Sequence, residues 1–214
     1  MHRLEYVPET PVQDFPLFPL GIVALPTESV PLHIFEDRYR AMIEECMEGE
    51  SEFGIVWLSD DELKPVGCAC GIESVLDRED DGRFTILVRG TRVFRLLERQ
   101  NDLPYPAGVV EFVAEHEEAL DERAANEAHE LYGELVEQAT DRILEPQELE
   151  AMSAYAMAGT VDFGTDAKQE LLELRSENAR LRLLTLLFRA AIKQMELVER
   201  AQLRARSNGK VHFC

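Results

Sequence analysis

Hydrophobic and polar positions follow one rhythm in the first half of the chain and another in the second. From Phe15 to about Val113 the apolar runs are short, alternate with polar residues and are punctuated by turn formers. FTILVRG and TRVFRLLE (84–98) are rich in β-branched and aromatic side chains, and Asp81-Gly82 inside REDDGR (78–83) stand where a hairpin turn wants them. EFGIVWL (52–58) and VGCACGIESVL (66–76) read as further strands, the second bent at its glycines. Strands that return through short turns close into barrel-like shapes, so this half is expected to be a mostly antiparallel β pseudo-barrel.

One helix interrupts it. In PLHIFEDRYRAM (31–42) and the residues that follow, Tyr39, Met42, Ile43, Cys46 and Met47 fall at i, i+3, i+4, i+7 and i+8, one face of a helix. Glu36 and Asp37 stand in its first turn, where negative charge suits the helix dipole, and Gly49 is placed as its C-terminal cap. Leu32, Ile34 and Phe35 precede it as a short extended segment. The crowd of charged residues and His33 is thereby explained as a strand-to-helix joint, with no neighbouring nucleophile for the imidazole to activate.

After about Glu115 the period becomes helical and stays so. EHEEALDERAANEAHELYGELVEQATDRIL predicts a helix that stops before Pro146, and QELEAMSAYAMAG a second one capped by Gly159. A third, from about Asp166 to Arg206, carries Leu181, Leu184, Phe188, Ala191, Met195 and Val198 in steps of three and four, a continuous apolar seam. The seam is expected to be covered by the two earlier helices within a monomer; a homodimer is the alternative. The fold class expected is α+β: a β domain over 12–114 with one inserted helix, then a helical bundle over 115–206 ending in a long helix.

Composition narrows the partners. With 45% hydrophobic residues in 214, the chain can bury a core, and its formal net charge is −20. Nucleic acid recognition relies on clustered Lys and Arg, so neither nucleic acid nor an anionic membrane surface is an expected partner. Arg89, Arg92, Arg95 and Arg99 alternate with apolar positions but sit in an acidic molecule. No apolar run approaches the ~20 residues of a membrane-spanning helix. Met1 to Asp14 has no apolar core after Arg3, which is not the pattern of a secretory signal, and a cytoplasmic protein is expected. Cys46, Cys68, Cys70 and Cys214 are too few and too unevenly spaced for a disulfide framework and read as reduced thiols.

Motifs for chemistry are incomplete. GTVDFGTD (159–166) puts Gly164-Thr165-Asp166 where a phosphate-binding loop needs Gly-Lys-Ser, so a carboxylate would face the phosphate. DREDDG (77–82) imitates the first half of a calcium loop, but its twelfth position is Val88, not a bidentate Glu. Cys68 and Cys70 share one strand face and with His33 would offer three metal ligands, without a second Cys pair. No cofactor and no metal are expected. His33, Cys68, Cys70 and Arg92 are the residues on which a small-molecule or enzymatic site in the barrel would have to be built.

FPLFPLGIVALPTESVPLHIFEDRYRAMIEE (15–45) resembles the start of the substrate-binding domain of the ATP-dependent protease Lon, whose signature is an FPL strand, a Pro and a PL-x-IFE-x-RY segment. The likeness continues through FGIVWL, VGCACGIESV, DGRFTILVRGTRVFRLLE and PYPAGVVEFV, and into DAKQELLELRSENARLRLL, about 15 to 205 in all. ALPTESVP (24–31) departs from it where the family more often has Phe-Pro-Gly. The resemblance implies a PUA-like pseudo-barrel followed by a helical bundle, no catalytic residue, and a non-enzymatic role in engaging protein substrates. Pro31, Leu32, Ile34, Phe35, Glu36, Arg38 and Tyr39 match the signature, and Leu32, Phe35, Arg38 and Tyr39 are the candidate protein-binding residues. The partners it implies are unfolded or partly folded proteins, with a protease as a further candidate, and the role that of an adaptor, chaperone-like binder or regulator of proteolysis. A contact surface for such partners is expected to be apolar, between barrel and bundle or on the barrel face.

Overall fold

The computed structural model of the chain describes residues 10–60 and 62–208, so the readings made of the first nine residues and of Cys214 lie outside the described residues. Seven strands alternate with one early helix: β1 (Val12–Leu20), β2 (Ser29–Ile34), α1 (Asp37–Glu48), β3 (Phe53–Ser59), β4 (Glu62–Leu63), β5 (Val66–Arg78), β6 (Phe84–Gln100) and β7 (Ala107–Phe112). Five helices follow: α2 (Glu122–Thr140), α3 (Pro146–Glu150), α4 (Ala154–Ala158), α5 (Thr165–Glu173) and α6 (Glu177–Asn208). The chain divides into two compact units, one running up to His116 and adding Ala158–Arg175, the other made of Glu117–Met157 and the residues from Ser176 onward.

In the first unit the strands close on themselves. The order β1-β7-β6-β5-β3 returns to β1 through a parallel pairing from Leu17↔Gly54 to Leu20↔Trp57, and every other pairing is antiparallel. Parallel neighbours need a long crossover, which β2 and α1 supply here. FTILVRG and TRVFRLLE form one long strand, β6, whose first edge pairs with β5. Its second edge is shared by β2, from Ser29↔Arg89 to Ile34↔Phe84, and β7, from Phe94↔Phe112 to Gln100↔Ala107. The change of partner falls at Gly90, where the Leu25 carbonyl comes so close that a Cβ would stand 2.1 Å from its oxygen. Side chains facing inward make the core: Phe15 meets Phe94 and Phe112 edge-on at centroid distances of 5.4 and 5.8 Å, over Leu17, Val56, Ala69 and Val110. At the other end of β5 and β6 the Asp81-Gly82 turn closes the hairpin, with Gly82 at φ +87° and its N–H on the Glu79 carbonyl at 3.0 Å.

α1 buries Tyr39, Met42, Ile43 and Cys46, with Met47 half-buried at the edge of that face. Gly49 ends the helix in right-handed backbone, and Glu50 takes the left-handed turn at φ +48° that lets the Ser51 N–H reach the Cys46 carbonyl. α5 completes the first unit. Its Lys168 pairs with Glu28, both side chains largely buried, and Gln169 donates to the Val66 carbonyl at 3.2 Å.

In the second unit the helices begin later and break more often than their periodicity suggests. α2 starts at Glu122 instead of Glu115 because Asp121 caps it, accepting from the Ala124 N–H, while its own N–H is held by Asn178 Oδ1 at 2.8 Å. The segment read as one helix after Pro146 is two, α3 and α4, separated where the Ser153 hydroxyl accepts from the Ala156 N–H. The expected helix from Asp166 to Arg206 is interrupted between α5 and α6, with Leu174 extended and Ser176 Oγ accepting from the Ala179 N–H at 3.1 Å. Leu181, Leu184 and Phe188 of α6 are buried along α2, where Tyr132 meets Phe188 at 5.5 Å. Farther along the same seam Ala191 and Met195 are half-buried and Val198 is 46% exposed.

Candidate functional site

Strand alternation decides which residues of the opening joint reach the surface. In β2, Leu32 and Ile34 point into the core and His33 points out, and the chain then leaves the sheet with Phe35, whose ring is 59% exposed. One turn later α1 begins. Its Tyr39 ring is buried against Phe18 of β1 as a stacked pair 4.2 Å apart, and the Arg38 guanidinium lies over the same ring at 4.6 Å. Glu36 fixes that guanidinium through Oε2, at 3.0 Å from Nε and 2.8 Å from the terminal nitrogen.

These groups form one wall of a cleft of about 550 Å³ contained within the barrel unit. Leu17 to Leu20 of β1, Leu58 of β3, Leu63 of β4, Arg99 to Asn101 at and after the end of β6, and Pro106 with Ala107 complete its lining. Phe35, Arg38 and Tyr39 are thus brought together, whereas Leu32, 7% exposed, stays in the core. No local pattern marks Phe18, Leu58 and Leu63 as cleft residues, and Arg99 stands out in the sequence only as one of a row of arginines, because these residues meet only when β1, β3, β4 and β6 assemble. Phe18 did have a signal, as part of the FPL strand.

The ionisable groups on this wall of the cleft are held by their neighbours. Burial pushes the Tyr39 phenol up, the Arg38 charge works against that and Glu36 adds to it, so the hydroxyl keeps its proton near neutrality. The Tyr105 hydroxyl donates to Glu45 at 2.8 Å, fastening the loop before β7 to α1; burial and that carboxylate hold its proton even more firmly. His33 stacks beside Phe35 at 6.1 Å, and its Nδ1 lies 3.2 Å from Thr85 Oγ1 across the sheet.

The four residues on which a small-molecule or catalytic site was to be built do not converge. Cys68 and Cys70 are fully buried opposite Val93 and Gly90, while His33 stands outside opposite Thr85. Arg92 pairs with Glu52 and lies over Phe112 at 3.4 Å. The hydrogen bond with Cys70 and burial raise the Cys68 thiol well above its ordinary range. Among the described residues no group of three or more His, Cys, Asp or Glu is placed to hold a metal ion, and no helix is long and apolar enough to cross a membrane. Asp81 of the calcium-like stretch is engaged by the Arg83 side chain at 2.7 Å within the hairpin turn.

The family model of the ATP-dependent protease La (LON) substrate-binding domain matches residues 14–189. Among curated proteins, the Lon protease of Paraburkholderia phytofirmans (strain DSM 17436 / LMG 22146 / PsJN) is 28% identical over 179 residues, 76% of this chain and 21% of that protein. The chain therefore spans about a fifth of that relative's length. Two solved structures are similar in fold. A Lon N-terminal domain protein from Xanthomonas campestris aligns at a TM-score of 0.62 and 25% identity, over 81% of this chain and 97% of the other. The N-terminal domain of Mycobacterium avium complex Lon protease aligns at 0.60 and 22%, over 82% and 98%, a likeness that speaks for the fold alone. The match is to the substrate-binding module and not to the protease or ATPase parts. Because it runs from β1 through the inserted helix and the cleft into α6, the chain belongs to the LON substrate-binding domain family.

Proposed function

We propose that this chain is a non-enzymatic protein-binding module that holds exposed apolar stretches of unfolded or partly folded proteins, serving proteolysis as an adaptor, chaperone-like binder or regulator. The observation that carries the reading is the cleft itself: an exposed Phe35 beside a buried aromatic stack, with four further segments of the barrel around it. Polypeptides that have lost their fold present mainly apolar side chains, and an aromatic-lined concavity on an otherwise charged surface is where such side chains leave water. Family membership supports protein-substrate recognition as the general role. The binding residues we assign are Phe35, Arg38 and Tyr39, with Leu32 as the core residue that holds the joint in place.

Binding of reduced, carboxymethylated α-lactalbumin, a permanently unfolded chain, followed by fluorescence anisotropy, tests this. Burying an aromatic ring contributes about 1.5–3 kcal/mol, so Phe35→Ala is expected to weaken binding by about tenfold or more. Its exposure in the free protein means the fold should be unaffected. If the wild-type protein does not bind, or Phe35→Ala binds equally well, the assignment is wrong.

A further inference from the structure

We infer that the occupant of the cleft is the C-terminal end of a polypeptide, with its last apolar side chains against Phe35 and Tyr39 and its terminal carboxylate on Arg99 and Asn101. The inference rests on the protein-binding reading above and narrows it to one class of segment.

Charge is the first argument. The chain carries 42 acidic and 22 basic side chains, so positive charge is in the minority. At the cleft the charged residues are Glu36, Arg38 and Arg99, and the first two neutralise each other through their paired bonds. The Arg99 side chain makes no ion pair or hydrogen bond among the described residues. The cleft of a molecule with net charge −20 therefore carries a local excess of one positive charge.

The second argument is donor geometry. Arg99 is the penultimate residue of β6 and Asn101 the first residue after it, and both line the cleft. Asn101 likewise has no side-chain partner among the described residues, whereas Gln100 between them is occupied, accepting from the Asp14 N–H and donating to Gln13. A guanidinium fork and an amide without a partner, both lining one cleft, suit the two oxygens of one carboxylate.

Size is the third. A volume of about 550 Å³ is that of a site for a drug-sized molecule, which corresponds to a few residues of peptide. An internal stretch must enter and leave such a site, each time past its walls; a chain end enters once and brings a carboxylate with it. Side-chain carboxylates share that chemistry, and the experiment separates the two.

Three versions of one short peptide, labelled with fluorescein at the N-terminus and ending in Leu-Phe-Leu, are titrated with the full chain by anisotropy: the free acid, the C-terminal amide, and the amide with an Asp placed three residues from the end. The free acid is expected to bind about tenfold tighter than the amide, the ratio for roughly 1.4 kcal/mol from a charge-assisted hydrogen-bonded pair. Arg99→Gln should erase that ratio, and Arg95→Gln, an exposed cation of the same strand outside the cleft, should leave it intact. Equal binding of acid and amide, or an Asp-containing amide that matches the free acid, overturns the inference while leaving the protein-binding reading standing. No binding by any peptide or by the unfolded protein overturns both.

Discussion

Gly90→Ala is the sharpest test of how the barrel is held together. Gly90 sits in the middle of β6, where the strand exchanges β2 for β7, and its conformation is ordinary; the constraint is space. A methyl group there would lie 2.1 Å from the Leu25 oxygen, 2.8 Å from its carbonyl carbon and 3.0 Å from the Cys68 sulfur. The first two are backbone, so no side-chain rotation relieves the clash. The loop before β2 must instead move off β6, and it is tied there by two short hydrogen bonds, Thr27 N–H to the Gly90 carbonyl at 2.8 Å and Gly90 N–H to the Glu28 carbonyl at 2.9 Å. Overpacking costs about 1–3 kcal/mol and each lost hydrogen bond about 1 kcal/mol, giving a destabilisation of about 3–5 kcal/mol. In a chain of this size that is a fall in Tm of about 10 °C. Urea and thermal unfolding followed by circular dichroism measure it. Gly71→Ala is the control, since that position is paired in the neighbouring strand and has nothing within 4 Å of an added Cβ. The substitution there should be neutral or stabilising by up to about 1 kcal/mol. A Gly90→Ala protein within about 0.5 kcal/mol of wild type, the ordinary range for surface changes, would refute the close approach.

Lys168→Met removes one partner of the largely buried pair that ties α5 to the barrel and leaves Glu28 without its counter-charge; a loss of about 2–3 kcal/mol in urea unfolding is expected, and Glu28→Met with Lys168→Met should recover part of it. The Arg182 hydrogen bond and the α2 amides hold the Asp121 carboxyl below its ordinary value of 3.8. Its contribution to stability is therefore complete above that value and is lost as pH falls through the lower folded-state pKa, so Asp121→Asn should flatten the acid limb of the stability profile and leave its neutral region less changed. Ser176→Ala removes the hydroxyl that caps α6 and should cost about 1 kcal/mol. In a Cys214→Ser background, Cys46, Cys68 and Cys70 should react with Ellman's reagent only after denaturant is added, because burial raises the Cys46 thiol as well as that of Cys68. Fast labelling of the native protein would contradict their burial.

Much of the architecture is readable in local patterns. The switch from a period of two to a period near 3.6 separates strands from helices, the spacing from Tyr39 to Cys46 marks the buried face of α1, and Asp81-Gly82 marks the hairpin. These features depend on neighbours within about one helical turn or one strand pair, which is the range over which sequence patterning acts. Helix ends were less legible. Asp121 and Ser176 start their helices where they do because their oxygens meet nearby backbone N–H groups, yet Glu115 to Leu120 would suit a helix equally well by composition. What keeps those six residues out of α2 includes the His116 N–H on the Arg175 carbonyl and the Asn178 amide on the Ala119 carbonyl, contacts across some sixty residues.

Local patterning is enough for the class of the protein: an acidic chain with a β half and a helical half, a strand-to-helix joint at 31–42, and the residues by which it resembles its family. Only the assembled fold shows that α5 completes the barrel unit, that β6 runs as one strand past Gly90 with the Leu25 carbonyl against it, and that Phe35, Arg38 and Tyr39 line one cleft with Arg99 and Asn101. The physical reason is range. Periodicity records which side of an element avoids water, but a cleft is made where the exposed sides of several elements meet, and that meeting is set by the closure of the whole sheet.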